Sequence, residues 1–160
     1  MYYEIAADQI ALNVYGAYVL LIWAVGNIIA GSILRLRHKK NAELRHFHEF
    51  NALWNVVNLG IALVSLFWLN RLEPVDMELK QVIYTMFCFE KLVLFNAALD
   101  IAYVAVGFFL RERGEHRKDH RLLGYGRSLW VQGGFLFLFD LALFALNAYF
   151  NQKYAFFILF

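Results

Sequence analysis

The sequence predicts an all-α fold, a polytopic membrane bundle of four transmembrane helices, and three observations carry that prediction. Of its 160 residues, 61% are hydrophobic and 18% aromatic, with a single proline, against about 45–50% apolar in an average soluble domain. Four apolar runs, 9–34, 50–69, 82–110 and 129–150, are each long enough for a hydrocarbon core of about 30 Å, which takes roughly 20 helical residues. No succession of short segments alternates apolar and polar as in a membrane barrel, and continuous runs suit helices, whose backbone groups are satisfied within each segment. Little chain remains for anything else, so residues 1–160 read as one four-helix transmembrane domain.

The first run follows MYYEIAADQ, which has neither a basic region nor a small-residue cleavage site, so the first helix is expected to be retained. At about 100° per residue, Asn13, Ala17, Ala24, Asn27 and Gly31 share one of its faces. The loop 35–49 carries five basic residues: Arg35, Arg37, Lys39, Lys40 and Arg45. The second run then aligns Asn51, Asn55, Asn58, Ala62 and Ser65, with His48 at the end of the stripe. The loop 70–81 holds only Arg71 and Lys80.

The third run contains EKLVLFNAALD at 90–100, an unusual set of polar groups for a membrane span. Asn96, Asp100, Tyr103 and Gly107 form a face, Glu90 sits about 80° from Asp100, and Lys91 points away at about 180°. Lys91 lies near the end of its span, where it can snorkel, bond Glu90 or meet a second subunit. The loop 111–128 carries six basic residues, Arg111, Arg113, Arg117, Lys118, Arg121 and Arg127, and its Gly124-Tyr125-Gly126 is expected to break a helix before the last run. The fourth run aligns Gln132, Asp140 and Asn147, with Leu136 and Leu143 between them. Gly133-Gly134 would permit a close helix approach. The closing YAFFILF exceeds what the span needs and suits the interface, a longer helix or a partner surface.

Because the basic residues concentrate in the loops 35–49 and 111–128, the positive-inside rule places both in the cytoplasm and both termini outside. Such loops attract anionic headgroups, and no nucleic-acid recognition motif accompanies the charge. Trp54, Trp68 and Trp130 stand near span ends and read as interfacial anchors. Cys88 is the one cysteine, so no intrachain disulfide forms. A shift of 76 residues superposes GSILRLR (31–37) on GFFLRER (107–113) and Leu53-Trp54 on Leu129-Trp130. Two like hairpins in parallel orientation would produce this, and so would chance matching of apolar sequence.

An Asp held in lipid at mid-depth costs about 2.5–3.5 kcal/mol on the mildest scale, so the polar faces are expected to share an interior. The functional reading makes Asp100 and Asp140 a protonatable or cation-binding pair near mid-membrane, ringed by Asn27, Asn55, Asn58, Asn96 and Gln132, with Glu90 toward one end. The competing reading is that these groups only hydrogen-bond the helices together, at about 0.6 kcal/mol or somewhat more per contact. A weaker motif is His46, His48 and Glu49, imidazoles with a carboxylate that would suit a metal if they converged. His116 and His120 are also at helical spacing, but no HExxH or cysteine pair supports either set.

HFHEFNALWNVVNLGIA, EKLVLFNAALDIAYVAVGFFLRER and GYGRSLWVQGGFLFLFD together resemble a bacterial family of small four-helix integral membrane proteins of unknown function, over residues 46 to 140. The resemblance implies a single four-helix domain in a bacterial inner membrane and assigns no activity. It places His48, Asn51, Asn55, Asn58, Glu90, Lys91, Asn96, Asp100, Arg127, Gln132 and Asp140 within the family's polar pattern.

Three functions are therefore expected in order. The first is binding or conduction of H⁺ or a small cation by the polar interior. The second is a non-catalytic accessory subunit of a larger membrane complex, or a bundle holding a lipid-like cofactor. The third is an interfacial metal-dependent enzyme at His46, His48 and Glu49. A bound cation or lipid is the cofactor these readings allow, and a homo-oligomer or larger membrane complex is the expected assembly.

Overall fold

The computed structural model describes residues 2–159, and within that range the side chains of all but 155, 156, 158 and 159. It is all-helical: α1 (Tyr2–Arg37), α2 (Ala42–Leu69), α3 (Leu79–Arg117) and α4 (His120–Leu159), with one 3-10 turn at Pro74–Asp76. All four are long and apolar enough to cross a bilayer. At 36, 39 and 40 residues, α1, α3 and α4 overrun the roughly 20 residues a hydrocarbon core requires.

Helix ends explain why the expected loops are so short. Asn41 caps α2, its side-chain oxygen accepting from the Leu44 N–H at 3.0 Å, so α2 begins eight residues ahead of its apolar run. Between α3 and α4 only Lys118 and Asp119 are non-helical. Lys118 adopts the left-handed conformation (φ 52°) that ends α3, and Asp119 then accepts from the N–H groups of Arg121 and Leu122 at 2.8 and 3.3 Å. The basic segments 35–49 and 111–128 are thus mostly helical extensions.

Gly124-Tyr125-Gly126 does not break a helix, contrary to expectation; it lies inside α4. Its glycines serve close packing. A Cβ on Gly124 would lie 2.5 Å from the Glu43 carbonyl of α2, and one on Gly126 would lie 2.6 Å from the Gly107 carbonyl of α3. The α1–α2 hairpin has a matching crossing, where Gly31 meets His48 and Ala52. Both hairpins therefore cross tightly near the GSILRLR and GFFLRER segments.

The strongest helix pairings are α3 with α4 and α1 with α2, and α4 also packs on α2 and α1. What lies inside and outside is the reverse of a soluble bundle. Asn13, Asn55, Asn58, Gln132 and Asn147 are at most 4% exposed, while Ile22 is 71%, Val64 68% and Leu138 68% exposed. Monomeric soluble proteins rarely expose apolar surface on this scale, and a bilayer supplies the solvent such a surface needs. A small apolar cluster of Ala6, Ile10, Val82, Met86 and Tyr154 closes the end near the termini, where the Tyr2 hydroxyl donates to the Met77 carbonyl at 3.0 Å. The YAFFILF segment continues α4 to Leu159; Phe160 lies outside the described residues.

Candidate functional site

Midway along the bundle the two acids meet. Gly133 lets α4 lie against α3 at this level: a Cβ there would stand 3.0 Å from the Asp100 carbonyl. Asp100 of α3 and Asp140 of α4 line one cavity and lie close enough to interact. A carboxylate only accepts, so a direct bond between the two would need one of them protonated. Asp100 is 3% exposed, and its Oδ2 has no hydrogen-bond partner among the described residues. A cavity of about 110 Å³ adjoins the pair, lined among others by Asn58, Asn96, Trp54 and Tyr103. A second, of about 80 Å³, continues past Asp140 and Asn96 to Asn13 and Ser65. Asn96, expected beside Asp100, lines both.

From the acids toward the basic turns runs one amide network. Trp23 Nε1 donates to Gln132 Oε1 at 3.0 Å, Gln132 Nε2 donates to Asn51 Oδ1, and Asn51 Nδ2 donates to Asn27 Oδ1 at 2.7 Å. Asn27 in turn donates to the Trp23 carbonyl at 2.8 Å. Asn55 returns its amide to the Asn51 carbonyl at 2.8 Å and accepts from Asn58 at 3.3 Å. Three helices are thereby tied by Gln132, which stands at the node. Gln132→Leu strands the Trp23 indole and the Asn51 oxygen, and the expected loss of stability is about 1–2 kcal/mol. Unfolding by sodium dodecyl sulfate in mixed micelles measures it. An unchanged midpoint would show that the node contributes nothing.

A second network runs from the acids toward the termini, and most of it escaped sequence reasoning. Gln9 Nε2 donates to the side-chain oxygens of Asn147 and Asn151, both at 3.0 Å. Asn13 and Asn147 exchange a reciprocal pair at 3.0 and 2.8 Å. The Tyr154 hydroxyl donates to Gln9 Oε1 at 3.1 Å, and Asn151 Nδ2 donates to Glu90 Oε2. Glu90 thus meets α4, while Lys91 is exposed on the other side of α3 and forms no ion pair among the described residues. Asn147, Asn151 and Tyr154 stand at i, i+4 and i+7 on one helical face. Ending the fourth run at 150 cut that face short.

The histidines do not converge. His46 Nδ1 bonds Glu49 at 2.9 Å, and Arg35 reaches the other oxygen of the same carboxylate at 3.1 Å. His48 instead stacks on His38, ring centroids 5.2 Å apart. His116 and His120 are exposed. No group of three or more His, Cys, Asp or Glu side chains suited to a metal occurs among the described residues. Of the three expected anchors, Trp68 is exposed. Trp54 and Trp130 turn inward, Trp54 against Phe50 and Tyr103 and Trp130 against Phe108, because each sits on the edge of a buried stripe.

Four apolar helices of membrane length, enclosing amides and an acid pair, define the class: an all-helical chain compatible with an integral membrane protein. The chain belongs to a family described as "Family of unknown function (DUF6992)", whose model matches residues 19–141. The matched stretch contains both acids and the Trp23–Gln132–Asn51–Asn27 network, and leaves out Gln9, Asn13, Asn147 and Asn151. No curated protein and no solved structure shows a significant match.

Proposed function

We propose that the protein is an integral membrane protein that passes protons across the bilayer, with the Asp100–Asp140 pair as the carrier. The observation that carries this reading is the meeting of the two acids, Asp100 buried to 3% exposure, at one cavity between the helices. A proton held by either acid would be exchangeable, and the two cavities that Asp140 lines are roomy enough for water. The amides of Asn13, Asn58 and Asn96 supply donors and acceptors to hold that water, as polar linings do in membrane pores. Glu90 at one end and the His46–Glu49 pair at the other are titratable groups where the proton would come and go. Both basic turns lie in the cytoplasm in this reading, by the positive-inside rule.

The test is proton uptake into liposomes holding the purified protein, under an imposed pH gradient, with a potassium gradient as a separate arm. Flux above protein-free liposomes in the pH arm is the expected result. Flux only in the potassium arm would reassign the pair to a monovalent cation, and none in either arm, with folded protein, would remove transport.

A further inference from the structure

The basic end of the bundle holds more cations than its own side chains use. Segments 35–49 and 111–128 carry five and six Lys and Arg residues against the acids Glu43, Glu49, Glu112, Glu115 and Asp119. Several of the arginines are engaged inside the fold. Arg35 pairs with Glu49 at 3.1 Å, Arg111 pairs with Glu115 at 3.2 Å and lies over the Trp130 ring, and Arg127 reaches Glu43 at 4.0 Å and lies over Phe47. Arg121 donates to the Tyr125 hydroxyl at 3.2 Å. Arg113 and Arg117 differ from these: both are exposed, and neither forms an ion pair among the described residues. They stand at i and i+4 on one face of α3, with Phe109 a turn below Arg113. His116 and Glu112 complete a shallow recess of about 300 Å³ on that face.

The depth of this face in the membrane decides what it meets. The apolar run of α3 ends at Leu110, so Phe109, 56% exposed, lies at the edge of the hydrocarbon. At 1.5 Å per residue, Arg113 stands about 4.5 Å beyond that edge and Arg117 about 10.5 Å, and the headgroup layer is about 5–7 Å deep on each side. Because α3 runs outward at this end, its Cα–Cβ bonds tilt back toward the bilayer, and both long side chains can reach the headgroup layer. A soluble anion would gain nothing from Phe109. Two guanidiniums one turn apart outweigh the single carboxylate of Glu112, which favours a negative headgroup over a zwitterionic one, and guanidinium binds phosphate oxygens bidentately. We propose that the face of α3 formed by Phe109, Arg113 and Arg117 binds an anionic phospholipid. Its phosphate sits between the two arginines and its acyl chains run past Phe109, while His116 supplies a further N–H.

The experiment is native mass spectrometry of the full chain released from detergent micelles, titrated with phosphatidylglycerol or with phosphatidylcholine of the same acyl chains. Wild type is expected to retain phosphatidylglycerol at concentrations where it sheds phosphatidylcholine. Arg113→Gln with Arg117→Gln is expected to weaken phosphatidylglycerol retention about fivefold for each arginine, the factor that corresponds to about 1 kcal/mol per cation at an anionic surface. Lys39→Gln with Lys40→Gln removes the same charge from exposed residues of the α1–α2 turn at the same end of the bundle, and is expected to change retention by less than about twofold. Equal losses in the two double variants would overturn the site and leave only diffuse attraction, and an unchanged arginine variant would overturn it as well. Displacement by chain-free glycerophosphate at equal concentration would overturn the lipid assignment in favour of a soluble phosphoester. Both variants replace exposed side chains that form no ion pair, and helical circular dichroism checks that they fold. The readout is lipid occupancy, so its failure is separate from failure of the proton reading.

Discussion

Asn in place of Asp100 or of Asp140 is expected to lower proton flux to the level of protein-free liposomes while the bundle stays folded. The substitution is nearly isosteric, and an Asn Nδ2 can donate to the remaining carboxylate. On the proposed reading, the exchangeable proton is then lost. Asn96→Ala, which removes only a group lining the cavities, is expected to reduce flux a few-fold. Lys91→Gln, on the exposed side of α3, is expected to leave it unchanged. Stopped-flow quenching of a pH dye inside the liposomes separates the three. Undiminished flux in both single Asp variants would show that protons take another route.

Gly126→Leu is expected to produce a large loss of stability. A Cβ at Gly126 would stand 2.6 Å from the Gly107 carbonyl and 2.8 Å from Arg111 Cγ. A side chain end could swing away, but a backbone carbonyl cannot move without moving α3. Overpacking costs about 1–3 kcal/mol, occasionally more, and this contact with backbone belongs at the upper end. The shift would also part α3 from α4 near Gly133, so loss of the acid pair's flux is expected to accompany it. Gly60→Ala is the matched control, because nothing lies within 4 Å of a Cβ there and Ala favours a helix over Gly by up to about 1 kcal/mol. Its unfolding midpoint in sodium dodecyl sulfate is expected to stay or rise. A Gly126→Leu midpoint equal to wild type would mean that the crossing is looser than the geometry requires.

The helices and their inward faces were legible because lipid imposes two strong constraints on a chain: runs of fixed length and polar groups gathered on one side of each. Asn51, Asn55 and Asn58 follow one stripe and are buried along it, as the 100° step predicts. Helix ends were less legible. The turn at Lys118-Asp119 needs a left-handed residue that the sequence marks with neither Gly nor Asn, while the glycines that looked like breakers, Gly124 and Gly126, are spent on contact with α2 and α3. Which polar groups pair with which was not legible at all. Gln9 and Asn147 lie in opposite halves of the chain, and helical period fixes a face without naming the helix opposite it. The same limit applied to the acids: each is expected at mid-depth by its own span, but that both line one cavity depends on how α3 and α4 pack.

The bonds that close the network near the termini join residues more than 130 positions apart, so none of them can form before α4 is made. While the first hairpin is in the bilayer and α4 is still unmade, Gln9 and Asn13 face lipid with no amide to meet, and Asn51 lacks Gln132. An α1–α2 unit without α4 is therefore held together by its own Gly31 crossing and its apolar contacts. The terminal network closes only when Asn147 and Asn151 reach Gln9 and Asn13, so a chain truncated ahead of Asn147 leaves a stripe of amides without these partners.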